Sequence, residues 1–145
     1  MPCRDRAPDC YEEPSSEDLE NLVGRYLKST SQDVTARQLA LMGATLANGG
    51  IHPQTEERAL STDNVPYVLS AMITAGMYDA SGEWMSKVGL PAKSGVSGNI
   101  LAVVPGRLAV AVYSPPLDES GNSVRGALVV EDLARRWGLH LLTSQ

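Results

Sequence analysis

The apolar positions of the chain change period once, near Glu83, dividing it into a helical part and a strand-like part. Before that point they recur at intervals of three and four, the spacing that gathers them on one face of a helix. Leu19, Leu22, Val23 and Tyr26 predict a short amphipathic helix from Glu17 to Leu27. A second helix is expected to start at Thr35, which forms a capping box with Gln38, each side chain satisfying a free backbone N–H of the first turn. Leu39, Met42 and Leu46 line one stripe of it. Ala36, Ala40 and Ala47 widen that stripe, so burial on most sides is expected. Asn48-Gly49-Gly50 ends the helix, because glycine enters a left-handed C-cap without steric cost. Ile51 to Ser61 reads as a polar loop. Thr62 or Asp63 then caps a third helix running to Ala75, with Val65, Val68, Leu69, Met72 and Ile73 facing inward and Gly76 closing it.

Beyond Glu83 come four strand-like runs, Trp84 to Val88, Lys93 to Val96, Ile100 to Val104 and Leu108 to Tyr113. Pro91, Gly98, Pro105-Gly106 and Pro115-Pro116 punctuate them. Pro105-Gly106-Arg107 reads as a tight antiparallel connection. The last two runs are too continuously apolar for an exposed sheet, so helices should cover them. A final helix from Ser123 to Trp137, ended by Gly138, offers Ala127, Leu128, Leu133 and Trp137 for that purpose. Helices, then an antiparallel meander, then a terminal helix predict an α+β layered domain.

Composition adds boundaries and exclusions. The 145 residues suit one domain with a modest core. Residues 1–16, rich in Pro, Asp, Glu and Arg, are expected to be a disordered lead-in to a domain spanning 17–145. A formal net charge of −5 with no basic patch argues against nucleic acid. No apolar run approaches the roughly 20 residues of a membrane span, and the N-terminus lacks the apolar core of a signal peptide. Cys3 and Cys10 suit reduced cytosolic thiols better than a disulfide framework, which points to the cytoplasm. The two histidines, His52 in the polar loop and His140 near the C-terminus, show no ligand spacing. No metal or other cofactor is expected.

Chemistry concentrates between Gly76 and Pro105. Tyr78 to Gly82 reads Tyr-Asp-Ala-Ser-Gly, in which Asp79 and Ser81 are good turn-formers. Lys93-Ser94-Gly95 is a close variant of the Lys-Thr-Gly element that accompanies a Ser-x-x-Lys nucleophile in the penicillin-recognising serine hydrolases. A strand of this kind lets a backbone N–H face a developing oxyanion. Ser94 and its neighbour Lys93 do not form a nucleophile–base pair, since adjacent strand residues point to opposite faces.

Taken together, YDASG, VGLPAKSGVSG, SPPLDESGNS and the upstream LANGG resemble the C-terminal portion of the serine-dependent glutaminases, over about Gly24 to Trp137. The resemblance implies part of a β-lactamase/penicillin-binding-protein-like fold and hydrolysis of L-glutamine to glutamate and ammonia. It also implies a homo-oligomer or a missing N-terminal half. It casts Tyr78 as the phenol that relays a proton beside the nucleophile, and Val96 as the residue whose backbone N–H contributes to the oxyanion hole. Tyr26, which opens Tyr-Leu-Lys-Ser-Thr-Ser, becomes a second site phenol contacting substrate; by spacing alone it is a core or boundary residue. Lys93 is cationic and close by, and is expected either to tune the field or to be solvated or structural.

The departures are as informative. No serine of the chain has a lysine three residues on, so the Ser-x-x-Lys nucleophile is absent. Arg4-Asp5-Arg6-Ala7 stands where the family has Arg-Asn-Arg-Ala. A carboxylate has no amide donors, so no binding role passes to Asp5. Asn99 follows Gly98 where the family has a second glycine; asparagine tolerates positive φ, so the turn is expected to survive. Two alternatives stay open: a fragment of a penicillin-recognising serine hydrolase, and a non-catalytic remnant or association module.

Overall fold

The structure, a computed structural model, describes residues 15–30 and 33–143. The expectations for Met1 to Pro14, including Asp5 and both cysteines, lie outside the described residues. The chain divides into two compact units, Met1–Asp33 and Val34–Gln145.

The first unit contains α1 (Ser16–Thr30), somewhat longer than its apolar spacing predicts. It begins with a reciprocal cap that the sequence reading missed: Asp18 N–H donates to Ser15 Oγ at 3.1 Å, and Ser15 N–H donates to Asp18 Oδ2 at 3.1 Å. Its stripe of Leu19, Leu22, Val23, Tyr26 and Leu27 is exposed.

In the second unit, α2 (Ala36–Ala47) opens on the expected capping box. Gln38 N–H donates to Thr35 Oγ1 at 3.2 Å, and Thr35 N–H donates to Gln38 Oε1 at 2.8 Å. The loop that follows is more ordered than its polarity suggests. The Nδ1 atom of His52 accepts from the N–H groups of Gln54 and Thr55, so this histidine folds the loop rather than standing in solvent. α3 (Val65–Ala75) is not capped by Thr62 or Asp63. A 3₁₀ turn, Thr62–Asn64, runs straight into it, and Pro66 in its first turn has no N–H to satisfy. Of its inward candidates Val65 and Met72 are buried, while Val68, Leu69 and Ile73 are half-buried.

The run from Trp84 to Val88 is not a strand. It belongs to α4 (Ser81–Lys87), where Trp84 and Val88 bury together at a spacing of four and Glu83 pairs with Lys87 at 2.7 Å. Five apolar-rich residues fit either period, and here the ion pair and the indole, whose Nε1 donates to the Leu90 carbonyl at 2.8 Å, agree with the helical one.

The remaining runs are strands: β1 (Ala92–Gly95), β2 (Asn99–Val104) and β3 (Leu108–Tyr113), an antiparallel meander in the order β1-β2-β3. Its register sets Ala92 against Ala102, Ser94 against Ile100, and Ile100 against Val112. One face carries Ile100, Ala102 and Val104 into a core with Trp84, Val88, Leu90, Val130 and Ala134. The other carries Leu101 and Val103 against Ala47 and Met72. Helices therefore cover both faces, as the continuous apolar runs require. On α5 (Val124–Trp137) the burying residues are Val130 and Ala134, with Ala127 and Leu133 half-buried; Leu128 and Trp137 are exposed. The buried pair is four apart, on the stripe turned to the sheet. Leu128 lies on the opposite side of that stripe. The ends of α5 are as expected: Gly126 N–H donates to Ser123 Oγ, and Gly138 takes φ +59°.

Candidate functional site

The site begins where α3 stops. The Gly76 carbonyl accepts from Ser94 N–H at 2.9 Å, bringing the end of α3 against β1. Gly76 has an ordinary helical φ of −70°, so it is not there for conformational freedom. A Cβ at this position would overlap the Ala92 and Met72 carbonyl oxygens, and only glycine permits the approach.

The chain leaves this contact through a 3₁₀ turn, Tyr78–Ala80, in which Tyr78 adopts φ +56°. A bulky residue in the left-handed region costs on the order of 1–3 kcal/mol and persists only where its surroundings over-determine it. They do so here. Met77 N–H donates to Ser81 Oγ at 3.0 Å, and Ser81 Oγ–H donates to the Tyr78 carbonyl at 2.6 Å. From the other side Asn122 Nδ2 donates to the Met77 carbonyl at 3.2 Å, and Asn122 is itself set by its N–H bond to Asp118 Oδ1 at 2.8 Å. Ser81 and Asn122 are only 4% and 2% exposed, so water competes little for these bonds.

The Tyr78 ring lies along the edge of β1. Its hydroxyl donates to the Ser94 carbonyl at 3.5 Å, the Lys93 Nζ atom sits 4.7 Å from the ring centroid, and the Cδ2–Cε2 side faces Gly121. The Lys93 ammonium also donates to the Ser94 carbonyl. Partial burial of the ammonium holds the Lys93 pKa below the ordinary lysine value. Two residues beyond Ser94 comes Val96, in the turn closed by the Gly98 N–H bond to the Gly95 carbonyl. Val96 is 75% exposed, and its backbone N–H has no partner among the described residues.

Lys93 and Ser94 obey strand alternation: Lys93 is exposed, Ser94 is buried and its Oγ has no hydrogen-bond partner among the described residues. They do not form a nucleophile–base pair. Asn99 begins β2 in extended backbone, so the positive φ it was expected to accommodate falls on Gly98 alone, at +97°. Tyr26 lies on α1 in the first unit and is 64% exposed. The structure thus brings together Tyr78, Lys93 and the Val96 turn. Ser81, Gly121 and Asn122 complete the arrangement and were not foreseen as part of it. Their motifs, Tyr-Asp-Ala-Ser-Gly and Glu-Ser-Gly-Asn-Ser, are visible in the sequence, but nothing local shows that two turns some 40 residues apart hold one tyrosine. Chemically the site offers a phenol, an ammonium and an open backbone N–H. Among the described residues no group of His, Cys, Asp and Glu is placed to hold a metal ion, and no helix is long and apolar enough to cross a membrane.

Known proteins share this arrangement of sequence and backbone. The glutaminase family model matches residues 11–142. Glutaminase 1 of Shigella flexneri is 51% identical over 116 residues, 80% of this chain, and the glutaminase of Microcystis aeruginosa is 51% identical over 126 residues, 87% of this chain. The chain spans 37% of the length of each of these relatives. Among solved structures, Mglu superposes with a TM-score of 0.82 at 46% identity, over 90% of this chain and 33% of its own. The probable glutaminase from Bacillus subtilis complexed with 6-diazo-5-oxo-L-norleucine superposes with a TM-score of 0.82 at 37% identity, over 86% of this chain and 43% of its own. The fold is accordingly part of the β-lactamase-like architecture of those enzymes, and the chain belongs to the glutaminase family.

Proposed function

We propose that this chain supplies the tyrosine and oxyanion side of a glutaminase active site. With a Ser-x-x-Lys segment from outside these 145 residues, it hydrolyses L-glutamine to glutamate and ammonia. The observation that carries this reading is the placement of Tyr78. A strained backbone is held by buried hydrogen bonds so that the phenol meets β1 two residues before an unpartnered Val96 N–H. Strain kept in this way is characteristic of functional positions.

The roles follow from the chemistry of amide hydrolysis, which needs a nucleophile, a base, oxyanion donors and groups that read the substrate. Tyr78 relays the proton to the leaving ammonia. The Val96 N–H stabilises the charge that develops on the carbonyl oxygen. Tyr26 contacts the substrate. The glutaminase-like domain runs from Glu17 to Gln145, and the exposed apolar residues of α1 and α5 favour a homo-oligomer or the absent segment as their cover.

Loss of a covalent nucleophile costs on the order of 10⁶ in rate. One oxyanion donor is worth roughly 3 kcal/mol and does not compensate. Ammonia release from glutamine by the purified 145-residue chain is therefore expected to be undetectable. It should appear when the Ser-x-x-Lys portion of a related glutaminase is added, and Tyr78→Phe should then lower kcat with little change in KM. Clear turnover by the chain alone, abolished by Tyr78→Phe, would show that a group within it acts as nucleophile and would overturn the proposal.

A further inference from the structure

A phenol that hands on a proton has to be held to a fraction of an ångström. Among the described residues the hydroxyl of Tyr78 has a single hydrogen bond, 3.5 Å to the Ser94 carbonyl, which is too long to do this. The backbone of the turn is locked by Ser81 and Asn122, but those bonds stop at the main chain and leave the ring its own torsions. What orients the ring lies among its neighbours.

Gly121 bounds it at one edge, where a Cβ would stand 3.6 Å from Cε2. This contact sets a limit without supplying an attraction. The Lys93 ammonium supplies one. At 4.7 Å from the centroid it is within the ~6 Å over which a cation is drawn to the negative face of an aromatic ring. The same ammonium donates to the Ser94 carbonyl oxygen that the Tyr78 hydroxyl approaches, so lysine, phenol and strand edge are joined through one acceptor. Among the described residues no carboxylate pairs with Lys93, whereas Lys87 is paired with Glu83. Burial disfavours the Lys93 charge, and a long flexible side chain at a strand edge has open solvent within reach. It remains over the ring because the ring face and the carbonyl offset that cost.

We infer that Lys93 is the positioning residue for Tyr78: its ammonium holds the ring face while its bond to the Ser94 carbonyl ties both side chains to β1. The catalytic consequence rests on Tyr78 being the proton relay. The geometry does not, and its test needs no turnover.

The chain has three lysines, Lys28, Lys87 and Lys93, so their ε-methylene signals are readily resolved by NMR of the 145-residue protein. Above an aromatic face, the Lys93 ε-methylene protons are expected upfield of those of Lys87, and Tyr78→Leu should abolish the difference. Lys93→Met should move the ring resonances of Tyr78, identified by their loss in Tyr78→Phe. Lys93→Arg, whose planar guanidinium also stacks on rings, should restore them. The melting temperature should not fall in either lysine variant, because the cost of partly burying the ammonium offsets its contacts with the ring and the carbonyl; a merely structural lysine would lower it. If Lys93→Met unfolds, Lys93→Gln replaces it in the same comparison. Lys93 ε-methylene signals level with those of Lys87, or Tyr78 ring resonances unmoved by loss of the ammonium, would overturn the inference whether or not the chain takes part in glutamine hydrolysis.

Discussion

β2 and β3 are paired residue for residue over six positions and are alike in character, Asn-Ile-Leu-Ala-Val-Val against Leu-Ala-Val-Ala-Val-Tyr. Yet five of the six β2 residues are buried and none of the β3 residues is. β2 has a strand on each side and helices above and below. Among the described residues, β3 is hydrogen-bonded along one edge only. Hydropathy along a strand reports whether its faces are covered; it is blind to whether its edges are. β3 also carries no charge and no proline, the usual means by which an edge strand discourages further pairing. Two stretches that read as equals in the sequence therefore differ in what they contribute: β2 holds the core together, while β3 leaves a template for another strand.

The largest expected effect comes from breaking the buried side at its anchor. Gly76→Ala drives a methyl into two carbonyl oxygens where α3 meets β1, and should cost more than about 4 kcal/mol or prevent folding. Denaturant unfolding checks this, and a cost below about 1 kcal/mol would mean that the α3–β1 junction yields easily. Next, one substitution made on each strand sharpens the contrast. Val103→Ala on β2 should cost about 2–3 kcal/mol, because the side chain is fully buried and leaves a cavity. Val110→Ala on half-buried β3 should cost about 1 kcal/mol. Equal shifts in the denaturant midpoint would show that β3 is covered in solution.

A smaller effect on stability is expected from Tyr113→Lys. The residue is 63% exposed at the end of the open edge, so the change should stay within about 0.5 kcal/mol. It should nevertheless reduce the association proposed above, as measured by light scattering at micromolar concentration, and an unchanged scattering mass would mean that no copy pairs along this edge.

The smallest effect concerns pH and involves the helices alone. Glu83 is held below its ordinary value by its hydrogen bond with Lys87, Asp132 by Arg135 and then Arg136, and Asp18 by Ser15. Carboxyls with lowered pKa values bind fewer protons folded than unfolded, so their contribution is present above the ordinary values of 4.5 and 3.8, begins to fade there and is lost as pH falls on through the lower folded values. All three are solvent-screened, and a shallow decline of melting temperature below that range is expected. Lys87→Ala should flatten part of it; an unchanged slope would rule out the Glu83–Lys87 pair as a source.

Much of the fold was legible in the sequence. The capping box of α2, the strands on either side of Pro105-Gly106, the cap and the left-handed end of α5 and the opposite orientations of Lys93 and Ser94 all follow from local rules. α4 was not, because five residues from Trp84 to Val88 satisfy both periods and only packing against Leu90 and the sheet distinguishes them. The stripe of α5 was misjudged at Leu128 for a related reason: an amphipathic helix with apolar residues on several sides does not announce which one meets the sheet.

The site divides in the same way. Tyr78, Val96 and Tyr26 were proposed from resemblance to a family whose motifs are short and dense, and the absence of Ser-x-x-Lys was plain from the serines themselves. Those are properties of residue order, which the chain carries whether folded or not. The left-handed backbone of Tyr78, its clasp by Ser81 and Asn122, and the ammonium over its ring are not. They arise because Gly76 lets α3 touch β1 and because the turn at 118–122 returns to the same corner. Apart from the local Ser81 clasp, these contacts join residues 15 to 45 positions apart. Their geometry exists only once the sheet and its covering helices have packed, and that is why tertiary structure alone decided it.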